Sequence, residues 1–190
     1  MKTIYLVRHG DYDYKDKNSE TDGQGLSVMG VKQAQATAAW FKQLNKPFSA
    51  IHCSDFLRTK ETAEIIAAAL ETPTQKPTLQ IWQELQECAD IYYQDFPGAV
   101  SPAVTAFHRH FTHNSHAGNV CEIIVCHANL IRYFVSRIQR WTREKWESTL
   151  IPYCSITEIV ITDSDGCRIN HLANDEHLPV DLREDMCSLL

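Results

Sequence analysis

Arg8 and His9 directly follow an apolar, β-branched run, Thr3 to Val7, and His127 directly follows a second such run, Cys121 to Cys126. Both runs read as buried strands that end on polar groups. In a parallel sheet the carboxyl ends of the strands share one side, where open α/β sheets carry their chemistry, so Arg8, His9 and His127 are expected to meet. Arg58 stands four residues after Ser54. It falls in the first turn of the helix expected after the strand Phe48 to Cys53, and it points to the same edge with the helix N-terminus behind it. Such a cluster gathers positive charge from several directions. Phosphoryl transfer needs that, because charge spreads over the equatorial oxygens and catalysis is mostly positioning and electrostatic stabilisation.

Taken one at a time, these residues have plainer readings. An Arg-His pair at a strand end is more often a surface or hydrogen-bonded pair, Arg58 a helix-face charge, and His127 a satisfied core histidine. Ser54 reads as a helix cap rather than a nucleophile. The combination is more specific: Leu6-Val-Arg-His-Gly10, Leu26-Ser-x-x-Gly30, Ser54-x-x-x-Arg58-Thr-x-Glu-Thr-Ala63, Leu85-x-Glu87 and Val125-Cys-His127 occur in that order, followed by Asn174-Asp-x-His177-Leu. With these motifs the chain resembles the histidine phosphatase (phosphoglycerate mutase-like) superfamily from end to end. The stretch Cys126-His-Ala-Asn-Leu-Ile-Arg132-Tyr is most similar to its mitochondrial serine/threonine protein phosphatase branch.

The resemblance implies a metal-independent phosphatase without a cofactor, working through a phosphohistidine. It makes His9 the nucleophile, Arg8, Arg58 and His127 the phosphate clamp, and Glu87 the proton donor. The residue chemistry agrees. Neighbouring cations lower the pKa of His9 from its usual value of about 6.5, leaving a neutral nitrogen to attack phosphorus. Its other nitrogen needs an acceptor to fix the tautomer. Backbone amides of Ala128 and Asn129, at the start of the next helix, add to the substrate-binding clamp. Glu84 and Asp90 flank Glu87 and are the alternatives for the acid, and the Leu85-x-Glu87 match selects Glu87.

The substrate reading rests on what surrounds the clamp. Asp11-Tyr12-Asp13-Tyr14 follows the Arg-His-Gly motif where mutase-branch relatives carry Glu or Gln and then Thr, which argues against a phosphoglycerate-type substrate. Tyr12, Tyr14, Tyr92, Tyr93 and Phe96 are expected to form an aromatic rim, and Lys15 and Lys17 are offset by Asp11, Asp13 and Asp16. A second phosphate would lack a charge partner there. A phosphoserine or phosphothreonine in a protein is the expected substrate. A small phosphorylated metabolite is the enzymatic alternative, and a phosphate-binding pseudoenzyme the non-enzymatic one.

The elements that must position these residues follow from the pattern of the whole chain. A length of 190 residues with 44% hydrophobic and 22% charged residues fits a single globular domain over residues 1–190. Helices are expected near Ser27 to Leu44, Leu57 to Leu70, Ala103 to Phe111 and Leu130 to Ile138. Gln80 to Leu85 reads as a short strand or loop entry. Ile156 to Thr162 and Cys167 to Leu172, split by Asp163-Ser-Asp-Gly166, read as adjacent antiparallel edge strands. Strands and helices alternate, so the fold class is α/β: a three-layer sandwich with a mostly parallel central sheet and helices on both faces.

A net charge of −6 argues against a nucleic-acid partner. No apolar run is long enough for a membrane span, and neither a secretory leader nor the N-terminal membrane segment of the similar branch is expected. The seven cysteines show no C-x-x-C pairing and read as free thiols, so the cytoplasm is the expected location. His108, His110, His113 and His116 do not all share a helix face, so a solvated helix end is expected there and no metal site. Cys126, inside its apolar strand, is expected to be a small core residue.

Overall fold

Strand β1 (Lys2–Arg8) is apolar on both faces, which suits the middle of a sheet covered on both sides. The computed structural model, which describes residues 1–13, 24–73, 76–88, 101–111, 119–162 and 166–184, puts it there. β2 (Phe48–Cys53), β3 (Thr78–Ile81), β4 (Val120–Cys126), β5 (Ile156–Thr162) and β6 (Gly166–Asn174) complete a six-stranded sheet in the order β3-β2-β4-β1-β5-β6. β1 runs parallel to β4 with Arg8 opposite Cys126, and β4 runs parallel to β2 with Val125 opposite Cys53. The three strands therefore end level, and Arg8-His9, Ser54 and His127 leave the sheet along one edge.

Alternation along the strands builds the two flanking layers. Ile4 and Leu6 of β1 and Ile124 and Cys126 of β4 pack with α3 (Pro102–Phe111) and α4 (Ala128–Gln139). Tyr5, Val7, Ile123 and Val125 face the other way, onto Ala38 and Phe41 of α1 (Val28–Leu44) and Ala63, Ile66 and Leu70 of α2 (Leu57–Leu70). Fully buried Phe41 meets Tyr5 and Phe48 edge-on, at centroid distances of 5.5 and 5.4 Å, and burial of one such ring contributes about 2 kcal/mol. This is the expected three-layer α/β architecture.

Local chemistry sets the helix ends. Ser27 caps α1 by accepting from Gly30 N, and the helix stops at Asn45, whose φ of 49° turns the chain left-handed. Two expectations change. Ser54 does not cap α2: the N-cap position is Phe56, without a side-chain bond, because Ser54 is drawn to another partner described below. β5 is an internal strand, since it pairs antiparallel with β1 as well as with β6. A short helix, α5 (Arg143–Ser148), capped by Thr142, was not foreseen.

Candidate active site

The edge where β1, β2 and β4 end brings the expected cluster together. His9, Arg58 and His127 are 3%, 3% and 0% exposed, and burying the Arg58 guanidinium is costly unless an anion offsets its charge. The His9 Nδ1 lies 2.8 Å from the carbonyl oxygen of Gly10 and donates to it. The Nε2 lone pair is thereby left facing the cluster, where it accepts from Arg58 Nε at 3.2 Å. Burial first, and then His127, Arg8 and Arg58, hold the His9 pKa well below its ordinary value, so the ring stays neutral at neutral pH. The tautomer expected of a nucleophile is the one this hydrogen bond selects.

His127 faces His9 at a centroid distance of 5.1 Å. Its Nε2 is hydrogen-bonded to Ser54 Oγ at 2.9 Å, while its Nδ1 is buried with no partner among the described residues. Burial, then Arg58 and Arg8, also lower its pKa well below the usual histidine value. His127 is the N-cap of α4 and makes no capping side-chain bond, so its own side chain does not compete for the amides of Ala128 and Asn129 at the helix start. The hydroxyl of Ser54 also meets Thr59 Oγ1 at 2.7 Å. Ser54 therefore orients His127, a role its sequence position does not reveal.

Arg8 comes in from the opposite face of β1. Its guanidinium lies 3.7 Å from the centre of the Tyr153 ring, and its Nη1 donates to Ile151 O at 2.6 Å and Glu184 Oε2 at 3.3 Å. Its Nε is buried without an acceptor among the described residues. Tyr12 and Tyr153 flank His9 at centroid distances of 5.4 and 5.7 Å, and the Arg58 guanidinium sits between the rings of Tyr12 and Phe56, at 4.7 and 4.8 Å. Of the expected aromatic rim, Tyr12 is in place, and Phe56 and Tyr153 join it. Tyr14, Tyr92, Tyr93, Phe96, Lys15, Lys17, Asp16 and Asp90 lie outside the described residues.

The rest of the motif holds this arrangement in place. Thr62 Oγ1 accepts from Gly10 N at 3.2 Å, Glu61 accepts from Leu26 N at 2.6 Å, and Gln33 Oε1 accepts from Asp11 N at 2.8 Å. Gly10 and Gly30 let the loop touch α1: a Cβ on Gly30 would lie 1.9 Å from the carbonyl oxygen of Asp11, and one on Gly10 would lie 2.7 Å from that of Gly30. Any other residue at Gly30 would push the His9 loop off the helix.

The two described carboxylates at the Leu85-x-Glu87 motif differ. Glu84 is held by Arg109 Nε at 2.7 Å. Glu87 is half-buried with its Oε1 out of solvent. After burial, its charge is the next cause of the raised pKa of the Cys126 thiol, beside His127. Cys126 itself is fully buried, as expected of a core residue.

Within the histidine run His110 departs from its expected reading, whereas His108 is exposed, and His113 and His116 lie outside the described residues. His110 is 3% exposed, and its ring meets that of His52 at 4.9 Å, because the spacing of Ala103, Ala106 and His110 turns it onto the sheet face of α3. His52, His110 and Glu122 converge closely enough to be considered as metal ligands, their candidate atoms lying within 4.8 Å of one another. The donor set does not fit an ion. Trp82 Nε1 can only donate, and it reaches His52 Nδ1 at 3.0 Å, so His52 Nε2 carries the hydrogen and faces Glu122 at 3.4 Å. Lys2 already supplies Glu122 with a cation at 2.7 Å. The cluster reads as a buried hydrogen-bond and ion-pair network.

Residues 4–90 match the histidine phosphatase superfamily (branch 1). The chain is 30% identical over 191 residues to the mitochondrial serine/threonine-protein phosphatase PGAM5 of Xenopus laevis, covering 94% of this chain and 67% of that protein. It is 31% identical over 193 residues to the Drosophila yakuba protein of the same name, covering 94% and 65%. The chain thus spans about two thirds of the length of these relatives. Among solved structures, a phosphoglycerate mutase from Plasmodium falciparum superposes with a TM-score of 0.67 at 28% identity, covering 94% of each chain. Family match, relatives and fold agree: this chain belongs to the histidine phosphatase superfamily.

Proposed function

We propose that residues 1–190 act as one domain that hydrolyses phosphate monoesters through a phosphohistidine at His9, with phosphoserine or phosphothreonine in proteins as the substrate. The observation that carries this reading is the state of His9: Nδ1–H is committed to Gly10 O, and Nε2 is turned, unprotonated, into a buried cluster of Arg58, His127 and Arg8. When a phosphate monoester enters, Arg58 Nε–H passes from His9 Nε2 to a phosphoryl oxygen and frees the lone pair. Arg8 Nε, His127 Nδ1 and the amides of Ala128 and Asn129 bind the remaining oxygens. Nε2 then forms the N–P bond as the P–O bond to the leaving group breaks, and Glu87 gives its proton to the departing oxygen. As a carboxylate, Glu87 next takes a proton from water, whose oxygen attacks phosphorus. The N–P bond breaks, inorganic phosphate leaves, and His9 is neutral again.

The rim supports a protein substrate. Tyr12, Phe56 and Tyr153 supply rigid contact area around one phosphate position, which suits a peptide carrying a single phosphate. The serine/threonine-protein phosphatase relatives point the same way. The small-molecule alternative draws on the similarity to a phosphoglycerate mutase.

With EDTA present throughout, phosphoserine and phosphothreonine peptides are expected to show kcat/KM at least about tenfold above 3-phosphoglycerate or fructose bisphosphate, about 1.4 kcal/mol in transition-state binding. A metabolite that outruns every peptide tenfold overturns the substrate assignment, and a need for added divalent metal overturns the proposed clamp.

No helix among the described residues is long and apolar enough to cross a membrane. The described cysteines Cys53, Cys88, Cys121, Cys126, Cys154 and Cys167 are free thiols. They support a reducing compartment, for which we propose the cytoplasm, whereas the relatives are mitochondrial by name.

A further inference from the structure

The Arg8 side chain is held from behind by a segment far away in sequence. Residues Asp175 to Glu184 fold back over α1, where Gln33 joins both ends of the site: its Oε1 accepts from Asp11 N and its Nε2 donates to Leu182 O, each at 2.8 Å. Arg183 braces the same segment by donating to Leu178 O at 3.0 Å and Glu176 O at 2.9 Å. The next residue, Glu184, directs one carboxylate oxygen at two groups, Arg8 Nη1 at 3.3 Å and the backbone N–H of Tyr153 at 3.2 Å. The Tyr153 ring in turn covers the Arg8 guanidinium at 3.7 Å. With side-chain exposures of 16% for Arg8 and 18% for Glu184, this pair is far less screened than a surface ion pair.

From this geometry we propose that Glu184 is a positioning residue for the phosphate clamp: it anchors Arg8 Nη1 and the Tyr153 backbone so that the guanidinium turns its unpaired Nε toward the phosphoryl group. The inference rests on the phosphatase reading of the site. A guanidinium has five N–H donors in one rigid plane, so pinning Nη1 from behind fixes where the others point. Ile151 O, at 2.6 Å, pins the same nitrogen, but a single acceptor leaves rotation about that contact open. Glu184 supplies the second acceptor, and the ring above closes the third direction.

The test is competitive inhibition of p-nitrophenyl phosphate hydrolysis by inorganic phosphate, with binding confirmed by calorimetry, in wild type, Glu184→Ala, Glu184→Gln, Arg8→Ala and the double variant Arg8→Ala/Glu184→Ala. Glu184→Ala is expected to raise the inhibition constant for phosphate and KM about tenfold, with kcat changing less than about threefold. Glu184→Gln keeps an acceptor oxygen and is expected to stay within about threefold of wild type in phosphate affinity. In the Arg8→Ala background, removing Glu184 is expected to have no further effect, because its action passes through Arg8. An unchanged or tighter phosphate constant in Glu184→Ala overturns the proposal, as does additivity of the two substitutions. Failure of the underlying phosphatase reading looks different: Arg8→Ala itself then leaves phosphate affinity unaltered. Melting temperatures measured alongside separate a positioning effect from unfolding, and a loss of affinity that only tracks a fall in melting temperature also counts against the proposal.

Discussion

Replacing His9 by alanine is expected to lower kcat/KM for p-nitrophenyl phosphate by about a thousandfold or more while leaving the fold intact. No other group can take over. The Nδ1 of His127 is buried at the site, but its Nε2 is tied to Ser54 Oγ, which holds the ring on the far side of the cluster. Cys126 is fully buried in β4, with its thiol pushed upward by burial and then by Glu87, so almost no thiolate forms. At neutral pH His9 is already neutral, so alanine removes the ring's packing and its Gly10 hydrogen bond but no buried charge. Inorganic phosphate should still bind, because Arg8, Arg58 and His127 remain. The measurement is steady-state turnover beside a thermal melt and a phosphate titration. Activity above a tenth of wild type in a folded variant contradicts the nucleophile assignment.

Glu87→Gln is expected to cost about a hundredfold in kcat on alkyl phosphates and less than about fivefold on p-nitrophenyl phosphate, because only the alkyl alkoxide must be protonated as it leaves. If the two substrates suffer equally, the acid lies elsewhere. Glu84 is a poor replacement, since its Oε1 is already taken up by Arg109 Nε at 2.7 Å. Equal losses would therefore direct attention to Asp90. A plot of log kcat against leaving-group pKa, steeper in the variant than in wild type, reads the same effect across a series.

Most of the layout could be read from the chain because the strands that deliver the site are short and apolar and end on charged residues. β1 and β4 are visible as Thr3 to Val7 and Cys121 to Cys126, and parallel pairing with level ends follows once helices alternate with them. The motifs gave Arg8, His9, Arg58 and His127 their common edge. What surrounds them was not legible, because it arises between distant segments. Ser54 followed by an apolar helix reads as a cap, yet its hydroxyl goes to His127, 73 residues away. Tyr153 and Glu184 lie 145 and 176 residues from the groups they serve near β1, and no periodicity encodes such contacts. The misread His110 had a usable signal: Ala103, Ala106, His110 and Phe111 share the buried face of α3, whereas four histidines taken together suggested only a polar end. α5, six residues long, is too short for a helical period to stand out.

The central claim is the covalent intermediate, and rapid quenching tests it most directly. Enzyme mixed with a phosphomonoester and quenched into base within milliseconds, where phosphohistidine survives, is expected to carry one phosphoryl group on the peptide containing His9, located by mass spectrometry. The label should appear before free phosphate at a rate at least equal to kcat, decay on a chase with unlabelled substrate, and be missing from His9→Ala. A wild-type enzyme that turns over with no phosphoryl group on any residue, or with the label on a residue other than His9, contradicts the account.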